Sequence, residues 1–129
     1  MPIEINYLSN GGIELIGKGV VSGIDIINGN NEIYSGEMLL KQKYQLLDLT
    51  DVDKVDASNE DLLTIADQDI EASKTNPNII IAVVGEGDLI FGLSRMWEAY
   101  VVKSAFETMV FRKKEEAMTW ISNKIDKKK

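Results

Sequence analysis

The chain has 129 residues, 44% hydrophobic and 27% charged, which suits one globular domain with a sizeable core. It contains neither cysteine nor histidine, which excludes disulfides, thiolate chemistry and the commonest general base and metal ligand. The formal net charge of −7 repels phosphate backbones, so no nucleic-acid partner is expected.

The first four residues show no basic segment leading into an apolar run, so no signal peptide is expected. Ile3, Ile5 and Tyr7 alternate with Glu4 and Asn6, the period of a half-buried strand. Ser9 to Gly12 is turn chemistry, and Ile13 to Val21 alternates again, with Gly17 and Gly19 marking a bulged place. A hairpin is predicted. Ser22 and Asp25 are spaced as a capping box for a helix carrying Ile24, Ile27 and Ile33, although Gly29 and its asparagine neighbours weaken it. Tyr44 to Leu49 is a compact apolar run, as expected of a strand covered on both faces.

Ser58 and Asp61 form a second capping box, ahead of a helix whose Leu62, Ile65, Ala66 and Ile70 share one face. Asn76-Pro77-Asn78 stops that helix, and Ile79 to Val84 is a second continuous strand. Gly85-Glu86-Gly87 lacks the spacing and the lysine of a phosphate loop and reads as a strand-to-helix turn, with Asp88 as the next cap. Phe106 to Phe111 is the last strand and Glu115 to Ile125 the last helix, with Ala117, Met118, Ile121 and Ile125 as its apolar stripe beside Trp120. The predicted order is β-β-α-β-α-β-α-β-α. One α/β domain is expected over residues 1–126, with Lys127 to Lys129 as a basic, solvated tail. No apolar stretch approaches the ~20 residues that cross a bilayer, so a cytoplasmic protein without stable membrane insertion is expected.

This order resembles the STAS domains, the fold of the bacterial anti-sigma factor antagonists. Those proteins have a strand ending in Asp/Asn-Leu, then a valine, then Asp-Ser-Ser-Gly at a helix start. Here Asp48, Leu49 and Val52 lead, at matching spacing, to Asp56-Ala57-Ser58-Asn59. The second half looks like the SpoIIAA-like branch, small bacterial proteins grouped by fold with the STAS and CRAL-TRIO domains. That likeness rests on Ile81 to Gly85, Leu93 to Met96, Phe111 and Glu115 to Ile121. The resemblance implies a mixed, mostly parallel sheet with an N-terminal hairpin and about four helices.

In the signalling antagonists a kinase-like anti-sigma factor phosphorylates the first serine of that motif. Its position is Ala57 here, so the usual acceptor is missing, and Asn59 replaces the glycine. Ser58 matches the second serine. A phosphate there would meet the free N–H groups of a helix start, but Asp56, Glu60 and Asp61 would repel it. As an N-cap Ser58 has a sufficient structural task, so Asp56, Ala57 and Ser58 stand as a cap with a regulatory site as the alternative. Asp51, Asp53 and Asp56 do not make a calcium loop, because the sixth position is Asp56 and the twelfth Leu62, where glycine and glutamate are required. No metal and no cofactor are expected.

From Asp88 to Val102 the rotation of about 100° per residue gathers Leu89, Leu93, Met96 and Tyr100 into a core stripe, with Trp97 at its edge. Phe91 and Val102 project from the opposite side, flanked by Ile90 and Val101. Either Phe91 folds back under a neighbouring loop with Val102 already outside the helix, or the patch is a surface for a protein partner or a second copy, or the helix gates an apolar cavity, as the CRAL-TRIO likeness suggests; the partner surface ranks above the cavity. The expected function is a non-enzymatic regulatory or protein-interaction module, possible as a homodimer; the alternative is a carrier or sensor of a small apolar ligand.

Overall fold

The computed structural model describes residues 2–127. Five strands lie in one sheet in chain order: β1 (Ile3–Tyr7), β2 (Gly12–Ser22), β3 (Tyr44–Asp56), β4 (Ile80–Val84) and β5 (Glu107–Phe111). β1 and β2 pair antiparallel as the expected hairpin, and every later pairing is parallel. The helices are α1 (Gly23–Ile33), α2 (Met38–Lys41), α3 (Asn59–Thr75), α4 (Asp88–Tyr100) and α5 (Lys114–Lys127), with a 3-10 turn at Val101–Lys103. α2 has no counterpart in the predicted order. Lys128 and Lys129 of the expected tail lie outside the described residues.

The crossover helices α1, α3 and α4 cover one face of the sheet, where Ile33, Ile65 and Trp97 pack onto Leu15, Leu49, Ile81 and Val83. α5 covers the other face, placing Ala117 and Ile121 against Tyr44, Leu46, Ile80, Ala82 and Val84. All five residues of β4 are buried, which is why its sequence is apolar without alternation. On α5 Met118 points to solvent, outside the stripe it was assigned to.

Both predicted capping boxes form, at Ser22–Asp25 and Ser58–Asp61. Helix α1 holds despite its glycine and asparagines because tertiary bonds replace propensity: Gln68 Nε2 of α3 donates to Ile27 O and to Asn31 Oδ1. The acidic segment from Asp51 to Asp56 is strand, the second half of β3. It pairs with Lys18 to Ser22, after one register shift between Ile16 and Lys18 and across a second between Gly19, whose φ is +66°, and Val20. β4 pairs only with Tyr44 to Asp48, so the second halves of β2 and β3 project beyond it as a two-stranded ribbon. Helix α4 is capped by the Gly87 backbone, and Asp88 instead occupies its first turn.

Candidate functional site

The ribbon carries the chain to the start of α3, beside the start of α1. Ser22 and Asp56 are register partners, and each strand runs straight into its capped helix. At α3 the Ser58 Oγ accepts from the Asp61 amide at 3.0 Å, and Asp61 Oδ2 accepts from the Ser58 amide at 3.0 Å. The Asp61 carboxylate lies so close to Gly23 that a Cβ there would sit 2.4 Å from Oδ2, so glycine is needed for the two helix starts to meet. Asp56 and Ser58 are exposed, whereas Ala57 is half-buried and packs on the core. Among the described residues no group of acidic side chains is placed to hold a metal ion.

Helix α4 lies alongside, with Tyr100 Oη donating to Asn59 Oδ1. Its rotation differs from the one its sequence suggested. The buried line is Ile90, Ser94, Trp97 and then Val101, while Leu89 is 75% and Met96 42% exposed. The stripe of Leu89, Leu93, Met96 and Tyr100 therefore forms the half-exposed side of the helix. The expected contact surface divides accordingly. Ile90 and Val101 lie in the core, Val102 is 78% exposed, and Phe91 is half-buried beneath Arg112, whose guanidinium stands 4.2 Å from the ring centre. Arg112 also reaches Asp88 Oδ1 at 2.8 Å and Glu86 O at 3.1 Å, which fastens the start of α4 to the end of β5.

Beneath α1, α3 and α4 lies a polar cluster that no sequence signal had singled out. Asp69 of α3 is 3% exposed. Its Oδ1 accepts from Tyr34 Oη at 2.6 Å and from Asn30 Nδ2 at 3.4 Å, and its Oδ2 accepts from Trp97 Nε1 at 2.8 Å. Gln45 Nε2 of β3 donates to Tyr34 Oη at 3.1 Å and to Gln42 Oε1 at 2.9 Å. Burial raises the Asp69 carboxyl to about 7, against the opposing pull of the Tyr34 and Trp97 donors. Burial, then the Asp69 charge, holds the Tyr34 hydroxyl well above its ordinary value. The signal was present in hindsight: Asp69 is seven residues after Leu62, the missing position of the apolar face of α3.

A cavity of about 70 Å³ adjoins this cluster, between the sheet and the helices α1, α3 and α4. Aliphatic side chains form most of its wall, and Asn30, Gln45, Asp69 and Ser94 form the polar part.

The opposite face holds a different polar group. Asp48 of β3 accepts from Thr50 N at 3.0 Å and Thr50 Oγ1 at 2.7 Å and pairs with Lys114 at 3.1 Å. Burial pushes the Asp48 carboxyl up, but the Thr50 and Lys114 donors outweigh it and leave it below the ordinary value. Lys114 also meets Glu14 at 3.4 Å, and Lys124 pairs with Glu107 at 2.6 Å. Lys114 and Lys124 thus serve ion pairs on the fold itself.

No protein-family model matches the chain, and no curated protein does. Solved structures do. The anti-sigma factor antagonist SpoIIAA in its unphosphorylated form is similar with a TM-score of 0.58 at 6% identity, over 93% of this chain and 97% of that one. The phosphorylated form of the Bacillus cell-fate determinant SpoIIAA gives 0.60 at 6% identity, over 92% and 98%. An uncharacterised protein of the DUF3478 family from Shewanella loihica, with a SpoIIAA-like fold, gives 0.52 at 18% identity, over 92% and 91%. The fold is SpoIIAA-like, as the resemblance of the sequence implied.

Proposed function

We propose that this chain is a non-enzymatic regulatory or protein-interaction module whose contact surface joins the start of α3 to the outward stripe of α4. The observation that carries it is their juxtaposition. Exposed Leu89 and Met96 share a helix face with Tyr100, which bonds to Asn59 beside the Ser58 cap. Large apolar side chains on one outward face of a helix mark a contact surface for another protein or a second copy. The absence of cysteine and histidine supports a role other than catalysis. The fold also supports it, since the SpoIIAA structures are those of an anti-sigma factor antagonist. In that frame Ala57 stands where the usual acceptor would be, and Ser58 acts as a cap.

Native mass spectrometry of protein gently purified from its source cells tests this. A dimer, or a complex with a second protein, that is lost in Met96→Asp while the melting temperature holds is the expected result. A bare monomer at every concentration, alike in both forms, would sink the proposal. The cavity supports a second function, carrying or sensing a small apolar ligand. Its volume limits the cargo to a few heavy atoms, well short of a lipid.

A further inference from the structure

The polar wall of the cavity offers one kind of hydrogen-bonding group. Gln42 Nε2 is committed to the Ile33 carbonyl and Gln68 Nε2 to the Ile27 carbonyl, so backbone groups fix the orientation of both amides. Gln42 Oε1 then faces Gln45 Nε2, and Gln68 Oε1 faces Asn30 Nδ2 at 3.1 Å. Both N–H bonds of the Gln45 amide are used, on Gln42 and Tyr34, and both of the Asn30 amide, on Gln68 and Asp69. Ser94 Oγ donates to the Ile90 carbonyl at 2.8 Å. With every donor hydrogen committed, what these side chains and, once it is ionised, the Asp69 carboxylate have left to offer is lone pairs. An apolar chamber whose polar wall only accepts is matched by a guest that donates.

We propose that this cavity binds a compact apolar molecule ending in a hydrogen-bond donor, an amine or a hydroxyl, with Asp69 and Gln45 receiving the head. The proposal rests on the carrier or sensor function above and names the chemistry of its ligand. Size agrees with a small guest: a dry cavity of about 150 Å³ admits benzene, and about 70 Å³ suits a smaller body. A donor in this position would add a further hydrogen bond to a buried carboxylate that accepts three within the protein.

Three molecules of the same four-heavy-atom shape, isopropylamine, isopropanol and acetone, test the proposal together with xenon as a purely apolar probe. Each is titrated at pH 8, and the indole N–H resonance of Trp97 is followed by NMR. Trp120, on the opposite face of the sheet, is the internal control. The expected result is a saturable shift of Trp97 alone, with the amine and the alcohol binding at least about tenfold more tightly than acetone, as one hydrogen bond to a charged group predicts. Ser94→Leu, which adds bulk at the wall, should abolish that shift while the Trp120 resonance stays in place. Acetone and xenon binding as well as the donors would overturn the ligand chemistry yet leave a carrier standing. No response of Trp97 to any of the four would overturn both, and binding undiminished in Ser94→Leu would place the guest elsewhere and overturn the proposal.

Discussion

Asp69→Asn should change both the stability of the fold and its dependence on pH. In the folded chain the Asp69 carboxyl titrates near 7, against an ordinary value of 3.8. A carboxyl raised in the folded state contributes stability that is fully present below the ordinary value and is lost as pH rises through the folded one. By that linkage Asp69 lowers the stability of the wild type by about 2–3 kcal/mol between pH 5 and pH 8. The asparagine variant has no such titration. Its Oδ1 still accepts from Tyr34, but its amide turns a donor toward the donor Trp97 Nε1, a fixed cost of about 1–3 kcal/mol. Urea unfolding at pH 5, 6, 7 and 8, read by tryptophan fluorescence, separates the two effects. The difference between variant and wild type should move in favour of the variant by about 2–3 kcal/mol over that range. Every other carboxyl is common to both proteins and cancels. Parallel stability curves would refute the raised carboxyl and the desolvation that causes it.

Ser58→Ala should cost about 1 kcal/mol by removing the bond to the Asp61 amide, whereas Ser58→Asp, which can still cap, should stay close to wild type. Thermal unfolding of both variants checks this, and a large loss in Ser58→Asp would contradict a capping role. Lys114→Met should cost about 1–2 kcal/mol at neutral pH, less than a fully buried pair because the lysine is 42% exposed. The Asp48 carboxyl is lowered in the folded state, so the stability it contributes is present above its ordinary value and is lost on acidification. The variant should therefore lose less than wild type between neutral pH and pH 3, and an unchanged acid profile would show that Lys114 does not hold Asp48 down.

Elements whose signals are local could be read from the residues alone. The two S-x-x-D boxes appear as capped helices because the cap bonds span only three residues. The alternation of Ile3, Ile5 and Tyr7 and the unbroken run of β4 appear as an edge strand and a central strand because the covering of each face is written into the pattern. Tertiary structure decided what depends on neighbours distant in sequence. Asp51 to Asp56 became strand because β2 supplies its ladder, whatever the charges of the segment prefer. Helix α4 turned Leu89 and Met96 outward because Trp97 finds Asp69 on α3, and one buried hydrogen bond fixes the rotation of a helix that is apolar on more than one side. Asp69 was legible only as a gap in an apolar face. Its burial, its raised carboxyl and the cavity beside it exist only where α1, α3, α4 and the sheet close over one another.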